Sequence, residues 1–456
     1  MKTAAPSPAL RIHVLAAGLC WGLSPVAGHA QQAAAPVEAT DAPATAAGDP
    51  APLDLTLADI ADREPYPDLL DTSMTVQGDL QEDTAVPTGW MRRETGMNSW
   101  FAWKNRVRQD TGLTFGGSWM MLWQNYSSSL VDEHNAVGSK LTLNFSYDLF
   151  NRGQANAMSF DVAVEDRRPV GTDLAPLQAG MATGSLIPTA ATYGDFSLGV
   201  TQAYIRQNLA DNRFQYTIGK IFAPNFLNAY PFFDDNRQFL SQAFSTSPSI
   251  AAPLRGFGAV AAWYPTTTGF YLKPGMFTVH SDDTGSTIDD FFSKSEHFYM
   301  LEVGWSALAR TGTPIQARAA MDANNIHLTA WYKDPEQGGL PRAKGLAFNA
   351  NYMLGTNMMW FARAGWSEGW FVDNNAAVGL GWRPTEHFSD LFGVAIGGLQ
   401  PASPQLRDQY TAEVFYRFHV TPHFAITPDV QVQVDPALTR ATDAIWVFSL
   451  RGRLTF

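Results

Sequence analysis

Cysteine is almost absent from this sequence, since Cys20 is the only one in 456 residues. It lies in an N-terminal stretch that we expect to be removed, which leaves no thiol in the mature chain. Disulfide bonds and thiolate chemistry are therefore excluded. An exported protein of this size without disulfides must obtain its stability in another way.

Long hydrophobic runs and an excess of basic charge are also lacking. No apolar run reaches the roughly 18 residues of a membrane-spanning helix. The net charge is −12, with the acidity concentrated near the N-terminus, which argues against nucleic-acid binding. The strings G-x-S-x-G, H-E-x-x-H and the P-loop do not occur, so we expect no catalytic residues, no metal site and no cofactor.

The N-terminus has the pattern of a secretory signal peptide. Lys2 and Arg11 precede the short apolar stretch "IHVLAAGLCWGL" at 12–23, and small residues lead to Ala30. This order of charge, apolar core and small residues predicts a signal peptide over 1–30, cleaved after Ala30.

The next region has no strong pattern. Residues 31–98 form an acidic stretch, rich in Ala, Pro and Asp in its first half, and predict a periplasmic linker or extension. From 99 onward we expect a single barrel domain reaching 456. It opens with a short amphipathic helix over 99–110 that ends at Gly112.

After Gly112, alternating segments of about 9 to 13 residues recur, separated by turn residues, as is typical of transmembrane β-strands. The sixteen predicted strands are 113–126, 138–149, 156–168, 195–208, 213–220, 256–264, 269–280, 296–305, 325–333, 344–354, 358–367, 375–383, 390–398, 409–419, 423–434 and 443–456.

The connections between these segments alternate in length. Long gaps such as 169–194 and 221–255 alternate with short ones such as "LADN" and "PTTTG", although the long gap at 306–324 breaks the rule. Short periplasmic turns and long outer loops are typical of outer-membrane barrels. We therefore expect an all-β fold, a 16-stranded antiparallel transmembrane β-barrel with a short N-terminal periplasmic extension.

The last segment shows the two faces of such a strand. Trp446, Phe448, Leu450 and Leu454 alternate with a face that carries Arg451 and Arg453. Backbone groups in hydrocarbon must be bonded internally, so the sheet must close, and sixteen strands leave a lumen wide enough for water. The apolar face is then expected to contact lipid, and the arginines to line a wet lumen.

The ending "EVFYRFHVTPHFAITPDVQVQVDPAL" and "DAIWVFSLRGRLTF", within 413–456, resembles the OprB type of carbohydrate-selective porin. "WKNRVRQDTGL" (103–113), "YIRQNLADNRFQYTIGKI" (204–221) and "AYPFFDDNRQF" (229–239) are similar to that family too. The resemblance implies passive diffusion of mono- or small oligosaccharides through a bacterial outer membrane. It also implies that Phe456 ends the strand recognised by the barrel-assembly machinery.

A sugar path needs polar side chains to exchange hydrogen bonds and aromatic planes for the ring faces. The predicted lumen residues are Asp161, Glu165, Arg167, Glu302, Trp331, Lys333, Arg363, Glu413, Arg417, Arg451 and Arg453. The candidates for a constriction loop are Phe232, Phe233, Asp234, Asp235, Arg237 and Phe239. For each of these residues, a sugar contact and an ion pair that supports the wall remain alternatives.

Three rival functions remain open. A channel could pass other small solutes, such as organic acids or inorganic ions. An outer-membrane hydrolase could use a carboxylate–histidine cluster near His280 or His297. A structural barrel could be plugged by residues 31–98. The expected partners are outer-membrane lipid, sugars and the assembly machinery, with a homo-trimer possible.

Overall fold

The computed structural model describes residues 66–84, 90, 97–152, 156–307, 324–336, 339–384 and 390–456. Its strands are β1 (Leu113–Tyr126), β2 (Asn135–Phe150), β3 (Met158–Pro169), β4 (Phe196–Leu209), β5 (Phe214–Ile221), β6 (Gly256–Trp263), β7 (Phe270–Thr278), β8 (His297–Ser306), β9 (Asn325–Lys333), β10 (Ala343–Leu354), β11 (Met358–Glu368), β12 (Val372–Trp382), β13 (Leu391–Pro401), β14 (Gln409–Thr421), β15 (Phe424–Val434) and β16 (Ala444–Thr455). The predicted signal peptide, and most of the predicted gap at 306–324, lie outside the described residues.

The sixteen strands form one closed antiparallel barrel in which each strand pairs with its neighbours in sequence. The ring is closed by β1 and β16, in a register that runs from Ser118 opposite Thr455 to Tyr126 opposite Val447. Closure pairs every strand edge, as a sheet in hydrocarbon requires. The predicted fold class is confirmed.

The barrel is apolar on its outer face and polar within. On β16, Trp446 is 47% exposed and Leu450 48%, whereas Arg451 is 1% exposed and Arg453 8%. The same alternation occurs on β9, where Ile326 and Leu328 point outward and His327 and Thr329 inward. The predicted assignment of faces on these strands is therefore confirmed.

Five α-helices accompany the barrel in the part of the chain that the structure describes: α1 (Val76–Thr84), α2 (Asn98–Thr111), α3 (Pro176–Met181), α4 (Gln242–Ser245) and α5 (Ile288–Ser293). None of the described helices is long and apolar enough to cross a membrane. Helix α2 corresponds to the helix predicted over 99–110. It ends at Gly112, whose φ of 81° suits glycine and whose N–H donates to the carbonyl of Arg108.

The two ends of the barrel differ in their connections. One end, here called the turn end, carries short turns such as 210–213 and 264–269. The other, the loop end, carries the connections 170–195 and 222–255, both of which fold into the lumen. The second of these, residues 222–255, is called the constriction loop below. Its side chains Phe226, Leu227 and Tyr230 are 0–1% exposed.

The chain before α2 departs from the predicted boundary. The described part of the compact unit begins at Tyr66 rather than near residue 99. Residues 66–84, the luminal segment, lie against the inner wall, where Leu69 and Leu70 are fully buried. The few apolar residues of this segment are not regularly spaced, because they fill gaps between other elements. The sequence therefore contains no pattern that predicts it.

Candidate functional site: the lumen of the barrel

All eleven predicted lumen residues lie on the inner face of the barrel and are at most 9% exposed: Asp161, Glu165, Arg167, Glu302, Trp331, Lys333, Arg363, Glu413, Arg417, Arg451 and Arg453. The inner positions of the strands explain this placement, since alternate side chains point to one face. Their surroundings divide them into groups with different contacts.

One group binds the constriction loop. Glu302 accepts a hydrogen bond from the backbone N–H of Asn228 at 2.6 Å and pairs with Lys273 at 2.6 Å. Arg363 donates to the carbonyl oxygen of Phe244 at 2.7 Å and lies over the ring of Tyr230. These charges satisfy loop backbone groups that would otherwise be buried without partners.

The opposite wall holds the loop in the same way. Glu413 accepts hydrogen bonds from the N–H groups of Leu240 and Ser241, at 2.5 and 3.0 Å. Arg451 donates to the carbonyls of Asp235 and Gln238, at 2.8 and 2.9 Å. The loop is thus tied to both sides of the barrel.

The constriction loop also packs through aromatic rings. Phe239 makes edge contacts with Phe415 and Phe361, at centroid distances of 4.9 and 5.9 Å, and Phe232 lies 5.3 Å from Phe361. Phe415 and Phe361 belong to the inner wall, so the loop is wedged against β11 and β14. Two of the predicted aromatic residues of the loop, Phe232 and Phe239, therefore act in its packing.

A cavity of about 410 Å³, the outer vestibule, lies on the loop-end side of the constriction loop. Glu165 is central among its charges. Arg167 contacts Glu165 at 2.5 Å, and Lys140 and Arg255 each contact it at 3.8 Å. Arg255 also pairs with Asp283 at 2.8 Å.

The vestibule combines these charges with amides and aromatic planes. Its lining includes Asn144, Gln202 and Asn236, together with Phe222 and Trp370. Charged groups, amides and ring faces therefore surround one space, which suits a solute with many hydroxyl groups and apolar ring faces.

Asp235, on the constriction loop, also lines the vestibule. Burial raises the pKa of Asp235 to about 6, although Lys140 opposes the shift. The vestibule therefore contains a carboxyl group whose charge changes within the mildly acidic range.

A second cavity, of about 90 Å³, lies toward the turn end and is called the inner cavity. It is lined by Arg237, Arg417 and Arg383 together with Glu82 and Asp234. Arg453 lies close to this cavity. Its guanidinium contacts Asp79 and Asp83, and both of these carboxylates also contact Arg237.

Three further predicted lumen residues line neither cavity and belong to none of the groups described above. Asp161 accepts a hydrogen bond from Ser159 at 2.7 Å, and Trp331 packs near Phe298. Lys333 pairs with Glu336 at 2.6 Å, beside the outer loops. Their contacts are with the wall and loops.

Some residues that line the vestibule were not predicted from the sequence. Lys140 shares the inner face of β2 with Thr142 and Asn144, an alternation that could have revealed it. Arg255 and Asp283 lie outside the strands, in the constriction loop and the β7–β8 connection, so no strand pattern points to them. Their position depends on how the loops fold inward.

Comparison with known proteins gives two results. Residues 373–456 match the OprB family of carbohydrate-selective porins. Among solved structures, OprB of Pseudomonas putida at high pH aligns with a TM-score of 0.64 and 15% identity, covering 82% of this chain and 100% of that one. The low-pH structure aligns with a TM-score of 0.50 and 14% identity, covering 79% and 98%. No protein with a curated description matches the chain.

The structural alignments establish a shared fold, and the family match covers β12 to β16. The resemblance to OprB-type porins expected from the sequence is confirmed over these strands. Both results agree with a closed sixteen-stranded barrel.

Proposed function

We propose that this chain, whose residues 373–456 match the OprB family, is an outer-membrane porin for the passive diffusion of carbohydrates. The outer vestibule carries the proposal. It offers hydrogen-bonding groups of both charges and aromatic faces around one open space within a closed barrel. A solute channel needs contacts that are favourable enough for entry and weak enough for release.

The lining carries charges of both signs. The basic residues Lys140, Arg167 and Arg255 lie around the vestibule together with the acidic residues Asp79, Glu165, Asp195, Asp235 and Asp283. A wall that mixes both signs in this way is not a simple sieve for anions or for cations. It does provide donors and acceptors for hydroxyl groups.

The hydrolase alternative is less well supported. A hydrolytic histidine activates a hydroxyl or a water molecule beside it. The ring of His280 contacts Glu296 at 2.6 Å, and that of His297 contacts the carbonyl oxygen of Phe291 at 3.0 Å. These partners orient the rings and are not hydroxyl groups. A channel, not an enzyme, is the function we propose.

Export and assembly complete the proposal. A signal peptide over 1–30, cleaved after Ala30, delivers the chain to the periplasm, where residues 31–65, the part of the predicted stretch 31–98 that precedes the luminal segment, form an acidic extension. The barrel-assembly machinery recognises β16 and its terminal Phe456. Three barrels associate in the membrane.

Sugar permeation is tested by liposome swelling and by single-channel currents titrated with glucose and maltooligosaccharides. We expect faster swelling with glucose than with salts of similar size, together with saturable current block. Glu165→Gln should weaken the block, because it removes an acceptor of the vestibule.

The matched control is Asp166→Asn. Asp166 is the next residue on β3 and pairs with Arg168 on the other face, so it should leave the block unchanged. Equal permeation of sugars and salts would contradict the carbohydrate proposal.

A further inference from the structure

The luminal segment contacts the inner wall in two stretches. In its first stretch, Arg206 of β4 pairs with Asp68 and lies 3.4 Å from Asp71, and uncharged groups make further contacts. The N–H groups of Leu69 and Leu70 donate to Gln215, and that of Val76 donates to the hydroxyl of Tyr204. Asn225 of the constriction loop donates to the carbonyl of Met74 at 2.9 Å. Hydrogen bonds and the ion pairs of Arg206 therefore hold this stretch to the wall.

Carboxylates make the contacts in the second stretch. Asp83 of α1 contacts Arg237 and Arg453, each at 2.7 Å. Asp79 contacts Arg237 as well and lies 3.4 Å from Arg453. Arg237 belongs to the constriction loop and Arg453 to β16, so the two aspartates bridge the loop and the wall.

The segment lies between the two cavities. Ser73 lines both of them, Asp79 lines the outer vestibule, and Glu82 lines the inner cavity. A solute that passes from one cavity to the other therefore meets this segment. The smaller volume on the turn-end side, about 90 Å³, agrees with that placement.

Helix α1 depends on its arginine partners. It has nine residues, and isolated helices of this length are marginal in water. Its last turn contains Glu82 and Asp83 and no basic residue, which is unfavourable at the negative end of a helix. Gln77 also donates to Ser146 and Ser159, and Asn144 donates to Asp79. These neutral contacts do not compensate the carboxylates, so without the two arginines we expect α1 to lose its position.

We propose that Arg237 and Arg453 form a carboxylate-binding site in the pore, occupied in this structure by the aspartates of α1. Occupation keeps the luminal segment across the path, and a carboxylated solute such as a sugar acid displaces it. The inference rests on the proposed function only in requiring a water-filled pore.

The first test neutralises the aspartates. In the full-length chain, Asp79→Asn with Asp83→Asn should raise single-channel conductance at least about twofold, because the segment leaves the path. The preference for chloride over potassium should also rise, since Arg453 loses both of its carboxylate partners and Arg237 keeps only Asp234. Asp166→Asn, which removes a carboxylate outside the lumen, should leave both quantities unchanged.

A steric variant tests the same movement without altering charge. A Cβ at Gly78 would lie 1.7 Å from the carbonyl oxygen of Thr72, so Gly78→Ala must disturb the luminal segment. We expect it to raise conductance with a smaller change in ion preference than the aspartate variants cause, because both carboxylates remain in the chain. Migration of the unheated proteins in electrophoresis verifies that each variant barrel is folded.

Labelling tests the ligand. Val76 is 1% exposed, so a maleimide should react with Val76→Cys, in a Cys20→Ser background, only when the segment leaves. Sodium gluconate should accelerate labelling at least about twofold beyond sodium chloride of equal ionic strength, which controls for screening. Glucose should have no effect.

Each contrary result would overturn one part of the proposal. Unchanged conductance and labelling in the aspartate and Gly78 variants would show that the segment is a fixed wall element. Equal labelling in gluconate and chloride would remove the carboxylate site. If ions cross but glucose does not, the carbohydrate function fails while the result on the segment still stands.

Discussion

The charges that hold the constriction loop and those around the outer vestibule are of the same kinds but have different neighbours. Glu302 and Lys273 are both 0% exposed and bind loop backbone groups, at Asn228 and Phe226. Glu165 and Arg167 adjoin a cavity of about 410 Å³. Residue type alone therefore does not separate support of the fold from contact with solute, whereas the open space beside a group does.

The largest expected effect is on stability and concerns the buried charges that hold the constriction loop. Glu302→Gln leaves Lys273 without its ionic partner in a fully buried position, where loss of a pair costs about 3–5 kcal/mol. We expect the free energy of unfolding, measured by denaturant titration in lipid vesicles, to fall by about 3 kcal/mol.

A double variant sharpens this prediction. Replacing both residues, as Lys273→Met with Glu302→Leu, removes both buried charges but leaves the N–H of Asn228 and the carbonyl of Phe226 without these partners, so it should restore only part of the loss. If the single variant were as stable as the wild type, this pair would not stabilise the loop.

The next effect concerns ion preference at the vestibule. Glu165→Gln removes the anion at the centre of three cations, so the reversal potential in a salt gradient should move toward anion preference. Arg167→Gln should move it the opposite way. Shifts of the same sign in both variants would show that these charges do not face the permeating solution.

A smaller effect is expected from pH. Asp235 has a pKa raised to about 6 by burial, so it is ionised at pH 7.5 and mostly neutral at pH 5. Lowering the pH removes one negative charge, and anion preference should increase with a midpoint near pH 6. Asp235→Asn should show that increase already at pH 7.5 and should lose the transition.

The smallest effect is expected outside the lumen. Arg168 pairs with Asp166 at 2.7 Å, but its side chain is 60% exposed. Exposed ion pairs contribute little to stability. Arg168→Ala should leave unfolding, conductance and sugar block unchanged, and a large loss of stability would require a contact in the membrane.

The strands could be predicted because the two faces of each strand have different surroundings. The resulting alternation of apolar and polar residues is visible in a short stretch of sequence. The prediction 113–126 coincides with β1, and 325–333 with β9. The largest deviations are at strand ends, as at Val372, where β12 begins three residues before the predicted 375. Ends are set by turns and loop packing, which local alternation does not record.

The inward loop could be expected from its aromatic and charged residues, but the roles within it could not. Whether Glu413 contacts solute or loop backbone depends on where Leu240 and Ser241 lie, and no spacing encodes that. The luminal segment was missed for a similar reason. Its aspartates are stabilised by Arg237 and Arg453, which are distant in sequence.

The pairing of β1 with β16 has a consequence for biogenesis. Gln124 of β1 donates to Ser449 of β16, a contact between residues 325 positions apart. Until β16 is in place, the first strand has one unpaired edge, which can pair with another chain and aggregate. The seam must therefore form last, and the polypeptide has to be kept from self-association throughout its transit.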